Sequence, residues 1–300
     1  MDKEYVEVLR RQHYAVFGEH EHSAAKLCTW LKKSLKNQGV CYKQKFYGIR
    51  SHRCLQMTPN IYCNQRCVFC WRVYGPSPDK LPVEWDEPKQ IVEESFKAQQ
   101  KLLSGFGGNP LVDKKKLKEA MNPNQFAISL TGEPTLYPYL DELIKEYGKH
   151  GTTFVVSNAL LPEVISKINP TQLYLSLDAP DEETHLKINR PAWRGSWQRI
   201  NDSLEILSSK KCRTAIRITL VKGLNDFNPE KYAKLVEKAE PDFLEVKGYM
   251  FIGGSRQRLS IQNMPRHEEV KAFAEQINAY LGYEYGGEQP ISRVVMLKKR

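Results

Sequence analysis

No segment of this 300-residue chain approaches the ~20 consecutive apolar residues that a membrane-spanning helix needs. Internal repeats and low-complexity tracts are missing too. The opening stretch, MDKEYVEVLRRQHYAVF, is charged and patterned for a helix, unlike a secretory leader. A cytoplasmic protein with no membrane partner is therefore expected. Cysteine is scarce outside one region, with only Cys212 after Cys70. Seven cysteines, an odd number with no leader, argue against a disulfide framework. Acidic residues are the minority, 35 against 45 basic, which gives a net charge of +10. The excess is dispersed: ten basic and five acidic side chains lie in the first fifty residues, and RVVMLKKR ends the chain with four basic ones. Such a spread favours a polyanionic partner, RNA first, over a basic enzyme without one.

What remains is an ordinary globular composition, 41% hydrophobic with five Trp and fifteen Tyr, long enough for one large domain or two small ones. Helical patterning runs over residues 3–17 and 23–37. From residue 54, short apolar strands alternate with amphipathic helices. Strands are predicted at 54–60, 125–131, 152–158, 172–179, 213–223 and 243–251, and helices near 88–104, 138–149, 161–168, 196–209, 229–239 and 267–281. Near-continuous apolar strands joined by helical crossovers imply an α/β fold with a parallel sheet covered on both faces. Six such units suggest an open or partial (β/α)6 barrel, with ligands at the C-terminal ends of its strands. The expected organisation is a helical extension over 1–53, the barrel over 54–285 and a basic strand or tail over 286–300. Two stretches look inserted, 105–124 with four lysines inside and 253–269, each either a solvated loop or an RNA contact.

Six cysteines fall within forty-three residues, which reads as metal chemistry in a reducing compartment. IYCNQRCVFCWR (61–72) follows the first strand and spaces Cys63-x3-Cys67-x2-Cys70, with Phe69 before the last thiol. Zinc sites usually take two such pairs or add histidines. A four-iron cluster has one ligand site per iron, so three thiolates leave one iron open to an exogenous ligand.

The spacing resembles the signature of the radical S-adenosylmethionine enzymes. That resemblance implies a partial β/α barrel, a [4Fe-4S] cluster on Cys63, Cys67 and Cys70, and S-adenosylmethionine chelated at the open iron. One-electron reduction would then release a 5′-deoxyadenosyl radical. LTGEPTL (130–136) resembles the family's GGE-type motif, with Thr131 replacing its first glycine. It implies that Gly132 allows close backbone approach and that Glu133 and Pro134 line the methionine amino group. Ser157 and Asn158 in VVSNA, Asp178 in SLDAP, and Arg217 on the fifth strand complete the implied cofactor set. Arg217 alone reads equally well as a salt bridge across the barrel.

Cys28, Cys41 and Cys54 are evenly spaced, thirteen residues apart. They suit a second three-thiolate cluster, buried structural thiols, or a zinc site completed by His22 or His52. Cys212 reads as core. With CYKQKFYGI (41–49), the trio is similar to the archaeal tRNA 4-demethylwyosine synthases, over essentially the full chain. That resemblance implies two [4Fe-4S] clusters, conversion of N1-methylguanosine at position 37 of tRNA(Phe) and pyruvate as co-substrate; a monomer served by an external electron donor is expected. Lys43 matches the family lysine proposed to form a Schiff base with pyruvate, with Lys45 its neighbour and competitor; burial beside a cluster would favour the deprotonated amine such a nucleophile needs. Base extrusion with aromatic stacking is expected, on Trp71, Trp193 or Trp197. Arg190, Arg194, Arg256, Arg258 and Arg266 are candidate RNA contacts. The rival readings are another radical RNA-modifying enzyme, such as a methylthiotransferase, and a non-catalytic zinc-stabilised RNA-binding module.

Overall fold

The computed structural model describes residues 3–76 and 78–300, and these divide into two compact units. The first runs through Cys63 and adds Gly75–Val156 and Ile168–Thr171. It opens with α1 (Lys3–Arg11), whose Tyr5, Val6 and Leu9 share one face and are buried. Tyr5 and Leu9 pack on Tyr14, Ile61, Tyr62 and Leu130. The helical repeat stops where His13 turns to a φ of 62°. A hairpin of β1 (Ala15–Phe17) and β2 (Ser23–Ala25) follows, with Val16 opposite Ala24. The helical patterning over 3–17 and 23–37 is thus realised only in part, because left-handed turns interrupt it and the short segments pair as strands.

Next come α2 (Thr29–Leu35), α3 (Tyr42–Tyr47) and β3 (Cys54–Thr58). Leu31 and Leu35, one turn apart, bury α2 against Leu103, Val112, Leu117 and Ala120. Gly48, left-handed at φ 71°, closes α3. Then follow α4 (Pro88–Leu103), α5 (Lys114–Ala120), β4 (Gln125–Ile128), α6 (Leu140–Gly148) and β5 (Thr152–Ser157). Proline opens α4, where its missing N–H costs nothing. Asp113 caps α5 by accepting from the Lys115 and Lys116 amides at 3.0 and 3.1 Å. The stretch 105–124, read as a loop, therefore carries a helix. The strand order is β1-β2-β3-β4-β5, antiparallel in the hairpin and parallel from β3 to β5.

The second unit holds Asn64–Tyr74, Ser157–Lys167 and Gln172–Arg300. It contains α7 (Pro162–Ile165), β6 (Gln172–Ser176), α8 (Glu182–Asn189), α9 (Ser196–Ser208), β7 (Arg213–Leu220), α10 (Pro229–Ala239) and β8 (Phe243–Gly248). After these come α11 (His267–Leu281), β9 (Glu284–Gln289) and β10 (Val294–Lys298). Its strands run β6-β7-β8-β10-β9, parallel through β8 and antiparallel at β10 and β9. The basic end of the chain is the last strand of that hairpin. All six predicted barrel strands are present, as β3 to β8. Each ends earlier than its apolar run, so LTGEP, NA after Ser157, and DAP lie in turns beyond the strand ends. Within each unit the strands form an open sheet rather than a closed barrel, edged by the β1–β2 hairpin in the first and by β9–β10 in the second. Among the described residues no helix is long and apolar enough to cross a membrane.

Candidate active site

In the first unit, Cys28 and Cys41 are the N-cap residues of α2 and α3, and Cys54 opens β3. The Cys28 sulfur accepts from the Leu31 amide at 3.3 Å. The Cys41 amide donates to Ser51 Oγ at 2.9 Å, and Ser51 is in turn fixed by Gln44. Burial pushes the Cys54 thiol far up, the charges of Cys28 and Cys41 push the same way, and Lys43 pulls it down. Burial likewise raises Cys28, again opposed in part by Lys43. The three evenly spaced thiols and Lys43 therefore share one neighbourhood. The Lys43 ammonium lies 4.9 Å from the ring centre of buried Phe154.

All seven cysteines are thiols rather than disulfides. Among the described residues, no three His, Cys, Asp or Glu side chains converge on a single ion. The histidines considered as zinc ligands are engaged elsewhere. His22 Nδ1 contacts the Pro59 carbonyl at 2.6 Å and its Nε2 accepts from the Asp86 amide at 2.9 Å. His52 Nε2 meets Glu119 Oε2 at 2.7 Å.

The segment leading into Cys63 is locked to the 131–135 loop. Asn60 Nδ2 donates to the Tyr62 and Glu133 carbonyls at 3.2 and 2.9 Å, and the Glu133 amide donates to Tyr62 O at 2.7 Å. Gly132 has a φ of 67°, and a Cβ there would lie 2.2 Å from Asn60 O and 2.6 Å from Tyr62 O. Its close backbone approach is thus to the chain's own carbonyls. Glu133 is buried, with Oε1 accepting from Thr135 N and Oγ1 at 3.1 and 2.6 Å, and buried Pro134 opens a single 3-10 turn.

In the second unit the loop carrying Cys67 and Cys70 is tied on several sides. The Cys70 amide donates to Cys67 O at 3.0 Å, and the Arg66 and Val68 amides bond the end of α8. Asn158 Nδ2 donates to Asn64 Oδ1 at 2.7 Å, inside the motif itself. Ser157 is buried, and its hydroxyl accepts from the Ala159 amide at 3.1 Å. Arg258, read as an RNA contact, is instead turned onto this loop. It donates to the carbonyls of Val68 (3.1 Å) and Cys70, and lies 4.2 Å above the Tyr74 ring. Gly254 donates to Trp71 O at 2.9 Å, and a Cβ on Gly253 would lie 2.1 Å from the same oxygen. Gly253, Gly254 and Arg258 thus make the start of the 253–269 stretch a clasp on this loop, while Arg256 and Arg266 of the same stretch stay exposed.

Asp178 is buried, which lifts its carboxyl to about 6 against hydrogen bonds from Thr219 and Asn189 and the charge of Arg217. Arg217 donates through Nε and Nη2 to Glu245 Oε2, at 3.0 and 2.8 Å, from its register neighbour on β8. The Arg217 pair thus joins adjacent strands rather than crossing a barrel as the salt-bridge reading had it. Of the aromatics, Trp71 is 45% exposed beneath Arg72, whereas Trp197 packs on Val68, Ala179 and Ile188 as core. Arg190, Arg194, Arg256 and Arg266 are exposed. Asn60, Asn189 and the Gly253–Gly254 pair carried no signal in pattern or spacing, and Arg258 was singled out for a different role, because each bonds residues distant in sequence.

Residues 57–236 match the family described as Radical SAM superfamily, and residues 238–299 match that described as Wyosine base formation. The S-adenosyl-L-methionine-dependent tRNA 4-demethylwyosine synthase of Pyrococcus horikoshii is 52% identical, over all of this chain and 90% of its own. That of Methanocaldococcus jannaschii is 44% identical, over 99% of this chain and 96% of its own. A solved structure of TYW1 with a lysine-pyruvate adduct bound superposes with a TM-score of 0.91 at 43% identity, covering 100% of this chain and 96% of that one. A crystal structure of archaeal TYW1 gives 0.83 at 40% identity, with the same coverage. The chain therefore belongs to the radical S-adenosylmethionine superfamily and, within it, to the S-adenosyl-L-methionine-dependent tRNA 4-demethylwyosine synthases.

Proposed function

We propose that this enzyme acts on N1-methylguanosine at position 37 of tRNA(Phe) and takes two carbons from pyruvate to close the third ring. The observation that carries the reading is Lys43 beside Cys28 and Cys54, in a chain similar to one solved with a lysine-pyruvate adduct. Cys63, Cys67 and Cys70 hold the [4Fe-4S] cluster whose open iron takes S-adenosylmethionine, and Cys28, Cys41 and Cys54 hold a second. When bound, the first cluster and S-adenosylmethionine supply, on receipt of one electron from an external donor, a radical that takes hydrogen from the N1-methyl group. The chain's own part is placement. Lys43 Nζ condenses with the keto carbon of pyruvate and releases water, which fixes the co-substrate at one atom. Glu133, Pro134, Ser157, Asn158, Asp178 and Arg217 line the strand ends that receive S-adenosylmethionine, with Gly132 fixing the turn. Trp71 offers an exposed face for the extruded base. Exposed Lys32, Arg50, Lys115 and Lys118 of the first unit meet RNA phosphates, as do Arg190, Arg194, Arg256 and Arg266 of the second. The working unit in this reading is a cytoplasmic monomer.

Borohydride reduction in the presence of labelled pyruvate tests the central claim. The label is expected on the peptide containing Lys43, and none in Lys43→Arg. Absence of label from an active enzyme would overturn the Schiff base in favour of pyruvate held at the second cluster's open iron.

A further inference from the structure

A line of buried polar side chains in the second unit ends on a cysteine sulfur. Ser196, His185 and Asn189 are 1%, 1% and 3% exposed. Ser196 Oγ lies 3.1 Å from His185 Nε2, and His185 Nδ1 lies 3.3 Å from Asn189 Oδ1. Asn189 Nδ2 lies 3.4 Å from the Cys67 sulfur. The same side chain also donates to the carboxyl of Asp178.

These contacts fix which way the Asn189 amide faces. Cys67 sulfur and Asp178 carboxylate are both acceptors, so the –NH2 end must face them. The carbonyl end then faces the imidazole, which requires the proton on Nδ1. His185 Nε2 is left as an acceptor, and the Ser196 hydroxyl supplies its donor. With a neutral imidazole, this arrangement satisfies all four groups. Gln65 Oε1, 3.2 Å from the same sulfur, suits a thiol proton. A sulfur that has exchanged its proton for iron has only acceptor character, and Asn189 is the donor built for it.

Adding an electron to an iron–sulfur cluster makes its sulfurs more negative, and an N–H dipole aimed at one of them stabilises the reduced state. We propose that Asn189, held by His185 and Ser196, is a positioning residue that donates an N–H to the Cys67 sulfur and raises the one-electron reduction potential of the cluster Cys67 ligates. The proposal rests on the reading of Cys67 as a ligand.

The test uses the full chain, reconstituted anaerobically and titrated with dithionite under electron paramagnetic resonance. The cluster of interest is the one whose signal changes on adding S-adenosylmethionine. Asn189→Leu should titrate at a more negative potential, and His185→Phe should shift less, since its amide has lost only the group that orients it. An unchanged potential in Asn189→Leu would overturn the proposal. A second measurement needs no variant. In wild-type protein carrying 15N-asparagine, pulsed resonance on the reduced cluster should show one coupled 15N and an exchangeable deuteron. Absence of both would likewise overturn it. Cys67→Ala should abolish the signal. Its retention there would sink the ligand reading and the proposal together, whereas its loss with Asn189→Leu unchanged would sink the proposal alone.

Discussion

Two residues set narrow tolerances. At Gly132 a side chain meets two obstacles at once, a left-handed φ of 67° and backbone carbonyls at 2.2 and 2.6 Å. Gly132→Ala is expected to cost about 1–3 kcal/mol in denaturant unfolding. It should also weaken S-adenosylmethionine binding, because the segment displaced is the one entering Cys63. His185 tests the interior differently, since burial lowers its pKa to about 4. The unfolded chain then binds the extra proton first, so this residue's contribution is complete above pH 6.5 and is lost as pH falls from there to 4. Asp178, lifted to about 6, runs the opposite way over much of that range. The wild-type profile therefore mixes the two. The stability difference between wild type and His185→Gln, measured at pH 7 and pH 4, should shrink by up to roughly 3 kcal/mol.

At the level of elements, α2 and α5 bury leucines against each other and leave lysines outside. Lys115→Ala with Lys118→Ala should weaken tRNA binding and lower the salt slope of log K by about one per lost phosphate contact. Cleavage of S-adenosylmethionine without RNA should be unchanged. An unaltered salt slope would remove α5 from the RNA path. This helix also marks the limit of what pattern reveals. The six parallel strands were legible because apolar runs bounded by turns are local, and Cys63-x3-Cys67-x2-Cys70 was legible because spacing is covalent. Asn60 acts 73 residues downstream, Asn189 acts 122 residues upstream and Arg258 190 residues upstream, and no periodicity encodes such reach. The β1–β2 hairpin was missed for another reason. Two three-residue strands are too short to show alternation, and the residues around them continue a helical pattern.

Taken whole, the chain keeps Cys28, Cys41, Cys54 and Lys43 within its first unit, while Asn189 and Arg258 belong to the second. Replacing Cys28, Cys41 and Cys54 together by alanine should lower iron from about eight to about four per chain while sparing reductive cleavage of S-adenosylmethionine. Iron analysis and detection of 5′-deoxyadenosine check the two halves of that statement, and loss of cleavage would show that the sites do not divide the labour this way. The fastening of the cysteine loop by Arg258 has a consequence in time. The ribosome makes Cys67 and Cys70 long before the arginine that clamps them, and 190 residues separate Val68 from Arg258. At about 5–20 residues per second, that interval is roughly ten to forty seconds. Throughout it the nascent thiols lack their clasp, open to oxidants and stray metal, so delivery of iron and sulfide is expected to await synthesis past Arg258.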